Sequence, residues 1–182
     1  VTEPDDAWFP AALERARAGE AAGFDALVRH LDSRLVGFAS ARGADDPEGL
    51  ADDVLVQMCR SIGSFEGNLA QLRAWVFTIA RNRLVDERRR FGRRIDGRPT
   101  EPSRLPDSSA VEVAFAADER ERVDALLAGL TEDQREIVVL RVVVGLSVEE
   151  TAEVVGRRPG AVRALQHRAL RTLRAELVGE GK

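Results

Sequence analysis

Between Arg157 and Arg174 the chain carries six arginines and no acidic residue. A guanidinium is a planar fork of five N–H donors, shaped for phosphate and carboxylate, so this density is suited to holding a polyanion. Arg163, His167 and Arg171 recur at i, i+4 and i+8, which puts them on one stripe of a helix; Val162, Ala169 and Leu173 fall on another. The stretch just before, SVEETAEVVG, reads as a short capped helix. Ser147 and Glu150 form a capping box, and Val148, Thr151, Ala152 and Val155 supply an inward face. Gly156 can take the left-handed conformation that closes a helix, and Pro159 suits the first turn of the next. Helix, tight turn and basic helix is the arrangement by which a helix-turn-helix offers its second helix to the major groove. A solvated helix closing a small bundle is the plainer alternative, and the short glycine turn favours DNA over it.

The elements that must position this helix are also helical. The 182 residues are 44 % hydrophobic, 32 % charged and 5 % aromatic, a helix-leaning composition. Phe24, Leu27, Val28, Leu31, Leu35 and Phe38 predict an amphipathic helix over about 23–41. A second starts at Pro47 and carries Leu50, Val54, Leu55, Met58 and Ile62 to a stop at Gly63. A third, over about 69–91, turns Leu72, Trp75, Val76, Ile79, Ala80 and Leu84 inward. A short helix over about 10–19 packs outside them. GRRIDGRPTEPSRLPDSS has three prolines, two glycines and little to bury, so it reads as a flexible linker. After it come a helix near 117–127, one opening on a Thr131–Gln134 capping box and closed by Gly145, and the helix-turn-helix. VVLRVVVG is β-branched, but its caps argue helix. The fold expected is all-α, with two small helical domains. They divide as an N-terminal segment 1–22, a first domain 23–91, a linker 92–116 and a second domain of four short helices over 117–178.

The net charge of −4 hides strong segregation. Residues 1–56 hold twelve acidic and five basic residues, whereas residues 73–104 hold ten arginines against four acids. Such blocks suit a protein that meets nucleic acid with some faces and a protein partner with others. The single cysteine, Cys59, excludes an intrachain disulfide and reads as a structural thiol. No apolar run approaches a membrane span and the N-terminus is acidic where a signal peptide is basic, so a cytoplasmic location is expected. Enzymatic function has little support. His30 sits beside an apolar helix face, His167 sits among arginines, no nucleophile has a partner at convincing spacing, and no glycine loop cradles phosphate. No cofactor or metal is called for.

Two blocks together resemble a known family. LTEDQREIVVLRVVVGLSVEETAEVVGRRPGAVRALQHRALRTLR is similar to region 4 of the extracytoplasmic-function sigma factors of bacterial RNA polymerase, which reads the −35 promoter element. FDALVRHLDSRLVGFASARG, GLADDVLVQMCRSIGSF and LRAWVFTIARNRLVDERRR resemble their region 2, in order. The resemblance implies −35 contacts from Arg157, Arg158, Arg163, Ala164, His167, Arg168 and Arg171. For the −10 element it implies Ser64, Phe65 and Asn68 of the loop before the third helix, then Arg81, Asn82, Arg83, Asp86, Arg89 and Arg90. A polar loop followed by a helix rich in arginine and amide suits single-strand capture. Of the two aromatics nearby, Trp75 reads as core by its spacing, and Phe65 is open to either role.

The resemblance further implies that the second helix of region 2 binds the clamp helices of the largest polymerase subunit, here through Asp52 and Asp53. The other implied partners are the flap of the second-largest subunit, promoter DNA and an anti-sigma factor. The chain departs from the family at Gly49 and Asp52 in the clamp motif. It departs again where V-K-S-R-L-H-R-A-R becomes V-R-A-L-Q-H-R-A-L, over 162–170. Ala164 lacks a hydroxyl and Leu165 replaces a basic residue, so −35 binding is expected to lean on Arg163 and Arg168. The alternative reading is a stand-alone helix-turn-helix regulator with an N-terminal sensing domain, which has no need of the basic IARN helix.

Overall fold

A computed structural model describes residues 6–92 and 125–179. In the N-terminal half, α1 (Trp8–Arg17), α2 (Ala21–Ala41), α3 (Pro47–Ser61) and α4 (Leu69–Gly92) follow one another, with a 3₁₀ turn, Ile62–Ser64, before α4. The expected first helix thus begins two residues earlier, at Trp8. Asp46 caps α3 by accepting from the Gly49 N–H at 2.9 Å, with Pro47 in the first turn. Leu27, Leu31, Leu35 and Phe38 of α2 are fully buried against Met58 of α3 and Leu72, Val76 and Phe77 of α4. Phe38 and Phe77 meet edge to face at 5.7 Å, an arrangement favoured by the ring quadrupoles.

The C-terminal half holds α5 (Glu132–Val138), α6 (Val148–Val155) and α7 (Pro159–Gly179), after a helical stretch at 125–128. Thr131 and Gln134 cap α5 reciprocally, as expected. The β-branched run is helical, but it winds as a π-turn over Val139–Val143 before Gly145 (φ +81°) ends it. Crowding of consecutive branched side chains is consistent with that looser winding. The four helices expected here are not all short, since α7 runs for 21 residues. The expected linker, 92–116, lies outside the described residues apart from Gly92, as does most of the helix near 117–127.

The two halves pack together through one continuous apolar core and a set of ion pairs. Arg42, at the end of α2, is 3 % exposed; it reaches Glu132 at 2.5 Å and Glu136 at 3.6 Å. Arg81 holds Glu136 with two hydrogen bonds, at 2.9 and 3.4 Å. Arg88 reaches Glu132 at 2.5 Å and also donates to the Arg42 carbonyl. Arg73, buried on α4, lies 3.3 Å from Glu150 and donates to the Gly145 carbonyl at 2.8 Å. Apolar atoms join the seam where Gly37 of α2 faces Val143 of the π-turn.

Two predictions follow the packing. Gly23 lies where α2 crosses α1: a Cβ there would sit 2.7 Å from the Arg15 carbonyl carbon and 2.8 Å from the Ala12 oxygen, both main chain. Gly23→Ala should lower stability by about 1–3 kcal/mol in denaturant unfolding. For Glu132, burial pushes its carboxyl pKa up, but hydrogen bonds from Arg88 and Arg42 outweigh it and hold the group below its ordinary value of 4.5. A depressed carboxylate stabilises fully above the unfolded value and loses that contribution as pH falls through the folded one. Glu132→Gln should therefore be less stable than the parent at neutral pH, with the gap closing below pH 4.5; a constant gap across the acid titration would contradict this.

Candidate nucleic-acid interface

The α6–α7 unit is held by local chemistry. The Ser147 hydroxyl accepts from the Glu150 N–H at 3.1 Å, and the Glu150 carboxylate accepts from the Ser147 N–H at 2.5 Å. Gly156 closes α6 at φ +66°, the left-handed region where a side chain is strained, and Pro159 opens α7. Ala152 and Val162 bury against Ile137 of α5, with Val148, Val155 and Leu165 partly buried around them. That seam fixes the rotation of α7 and leaves Arg158, Arg163, Ala164, His167, Arg168 and Arg171 on the exposed side. Leu165 faces the seam. Its departure from the family pattern therefore adds packing and takes nothing from the exposed stripe.

Acids of neighbouring helices already engage two of the expected −35 contacts. Arg157 pairs with Asp133 at 2.7 Å and Arg163 with Glu149 at 3.0 Å, both solvent-exposed. Such pairs contribute about 0–1 kcal/mol and yield readily to phosphate. Arg168 donates to the Ala164 carbonyl of its own helix, at 3.3 Å.

In the N-terminal half, the loop before α4 is braced at several points. Asn68 and Gln71 cap α4 reciprocally at 2.9 Å each way, and the Ser64 hydroxyl donates to the Ser61 carbonyl at 3.1 Å. Arg17 of α1 donates to the Phe65 carbonyl. The Phe65 ring stacks on Trp75 with centroids 5.4 Å apart and planes 18° apart. Trp75, read as core by its spacing, packs against the core and is half-buried at its margin. Ser64 and Asn68 are exposed beside this stack.

A groove of about 1070 Å³ runs between α3 and α4, and it gathers residues of both expected roles. Asp53, from the expected clamp site, lines it together with Asn82, Arg83, Asp86 and Arg90, from the expected −10 site. Arg83 ties the walls together, donating to the Asp53 carboxylate at 2.7 Å and to the side-chain amide oxygen Oε1 of Gln57 at 3.0 Å. Asp86 lies 3.9 Å from Arg89. Asp52 is exposed but does not line the groove. Arg81 stands apart from this set, turned to Glu136 across the seam. Arg42, Arg73 and Arg88 carry that seam with it and are functional candidates without a local sequence signal.

The remaining polar candidates have structural settings. His30 lies 5.1 Å from the Trp8 ring and 2.8 Å from Nη1 of Arg34. Cys59 is free and partly buried, and burial pushes its thiol pKa up, away from the reactive thiolate. Among the described residues no cluster of metal-ligating side chains occurs, and no helix is long and apolar enough to cross a membrane.

Comparison with known proteins agrees in both halves. Residues 27–94 match the family described as Sigma-70 region 2, and residues 120–173 match Sigma-70, region 4. The ECF RNA polymerase sigma factor SigD of Mycobacterium tuberculosis is 36 % identical over 179 residues, covering 94 % of this chain and 84 % of SigD. The ECF RNA polymerase sigma factor BldN of Streptomyces coelicolor is 35 % identical over 189 residues, covering 95 % of this chain and 67 % of BldN. Among solved structures, CnrH in complex with the cytosolic domain of CnrY superposes with a TM-score of 0.69 at 25 % identity, covering 93 % of this chain and 96 % of CnrH. RpoE in complex with the anti-sigma factor NepR from Bartonella quintana gives 0.63 at 26 %, covering 85 % and 96 %. With a basic helix set on a capped turn, both sigma-70 regions matched in order, and over a third of residues shared with SigD across nearly the whole chain, the protein belongs to the extracytoplasmic-function sigma factors, alternative factors that direct RNA polymerase to promoters.

Proposed function

We propose that the exposed stripe of α7 reads duplex −35 DNA while the loop at 62–68 and the outer side of α4 take the −10 strand, with the chemistry left to the polymerase. The observation that carries this reading is the seam of Ile137, Ala152 and Val162, which turns Arg158, Arg163, His167, Arg168 and Arg171 outward together. Asp53 in the α3–α4 groove and Asp52 outside it contact the polymerase clamp, and the neighbouring Asn82, Arg83, Asp86, Arg89 and Arg90 contact promoter DNA. Arg83, bridging to Asp53, couples the two contacts. The Phe65–Trp75 stack and exposed Ser64 and Asn68 form the loop surface offered to unpaired bases, which stack on aromatic faces whatever their sequence. The domains divide as 23–91 and 117–178, as the sequence predicts. The protein acts in the cytoplasm, where its polymerase is, and it is no enzyme itself. An anti-sigma factor controls it, in keeping with the complexes in which CnrH and RpoE were solved.

Run-off transcription with purified core polymerase on a pool of promoters from the source genome, followed by sequencing of the new 5′ ends, tests this reading. Discrete protein-dependent starts sharing −35 and −10 elements are expected. Starts independent of the protein, together with tight core-free binding to a palindromic duplex, would hand the case to a stand-alone regulator. Within the active system, Arg168→Ala should weaken promoter binding at all sequences and reduce its salt slope by roughly one unit, because one phosphate contact goes. An unchanged slope would remove Arg168 from the interface.

A further inference from the structure

Phe65 is held by its backbone and by its ring. Its N–H donates to the Ile62 carbonyl at 3.1 Å, its carbonyl accepts from Nη2 of Arg17, and its ring stacks on Trp75. The same ring lies against Gly67, where an added Cβ would sit 3.0 Å from Cζ of Phe65 and 2.8 Å from Oε1 of Gln71. That oxygen is itself engaged, accepting from the Asn68 N–H at the start of α4. Surface loops ordinarily leave such groups to water and keep their mobility. Here the residue at the centre of the loop has a set position.

The other restraints arise within residues 62–75, but the Arg17 bond spans 48 positions of the chain. Arg17 is the last residue of α1 and is exposed. Its helix lies outside the stretch 27–94 that matches Sigma-70 region 2. A cation in a last helical turn commonly meets the free carbonyls of its own helix. This guanidinium crosses to the loop instead, and α1 packs on the 3₁₀ turn at Ile62–Ser64 from which the loop departs.

We propose that Arg17 is a positioning residue for capture of the −10 strand: by holding the Phe65 carbonyl from α1, it fixes the loop in the conformation that receives unpaired bases. The inference rests on the reading of the loop at 62–68 as the −10 surface. A loop already ordered loses little conformational entropy when the strand arrives, so release of Phe65 weakens binding without removing any contact to DNA. The short helix α1 thereby becomes part of the −10 reading surface, although Arg17 itself touches protein.

Holoenzyme assembled on purified core polymerase tests this with a single-stranded −10 oligonucleotide, a scrambled strand, and a duplex carrying the −35 element alone. Arg17→Ala should bind the −10 strand about tenfold more weakly, as expected for loss of one charge-assisted hydrogen bond. Its salt slope, its −35 duplex binding and its affinity for core should match the parent's. Arg17→Lys, which can still donate to one carbonyl, should recover most of the loss. Gly67→Ala, which disturbs the same ring without touching α1, should reproduce it.

Parent-like binding of the −10 strand by either alanine variant overturns the proposal. So does a salt slope reduced by about 0.7, which would place Arg17 on a phosphate of the strand. Equal weakening on the −35 duplex or on core also overturns it, because Arg17 would then be supporting the fold at large. A parent holoenzyme that binds the −10 and scrambled strands alike would overturn the −10 reading of the loop, and this inference with it.

Discussion

The structure depends most on the burial of Arg42. A guanidinium is never neutral at ordinary pH, and moving one out of water costs several kcal/mol unless carboxylates and hydrogen bonds replace the lost hydration. At 3 % exposure Arg42 requires such partners, and the nearest are Glu132 and Glu136 on α5. Once those are in place, Glu136 is itself buried and needs Arg81, while Glu132 draws in Arg88. Charge closure thus fixes the register in which the two halves dock, over an apolar core that runs continuously from Phe38 and Val76 to Val139 and Leu146.

Glu150 extends the same logic into the DNA-binding unit. Its backbone N–H and carboxylate complete the capping box that starts α6, and the same carboxylate faces Arg73 of α4. One residue therefore fixes the entry of the helix-turn-helix and ties it to the other half. The α4 helix is divided in a comparable way by its 3.6-residue period: Leu72, Val76, Ala80 and Leu84 enter the core, Arg73 and Arg81 meet the C-terminal half, and Asn82, Arg83 and Asp86 line the groove with α3. Three sides of a single helix serve stability, closure and contact.

Local rules made much of this legible. The capping boxes at Thr131 and Ser147, the left-handed Gly156 and the proline starts at Pro47 and Pro159 are interactions between residues at most four apart, so spacing alone reveals them. The exposed side of α7 was readable for the same reason. The seam was not, because Arg42 and Glu132 are 90 residues apart and nothing near either marks it as half of a pair. Leu165 looked like a lost cation because a comparison of residue types cannot show which side of α7 it occupies. Trp75 was legible as a core residue, whereas its stacking with Phe65 was not, because periodicity places a side chain on a face without telling which neighbour covers its ring.

The same charge economy bears on why such a protein works through polymerase. Arg157 and Arg163 face Asp133 and Glu149, so part of the cationic stripe is neutralised before DNA arrives. The N-terminal half adds a strongly acidic first third, and the whole chain is negative at −4. Long-range attraction to duplex is correspondingly weak, and a phosphate contact from Arg157 or Arg163 must displace an internal carboxylate as well as a counterion. Binding then gains little from any single site and depends on several contacts made at once. Only a larger body that holds both halves at the spacing of the promoter can bring those contacts together.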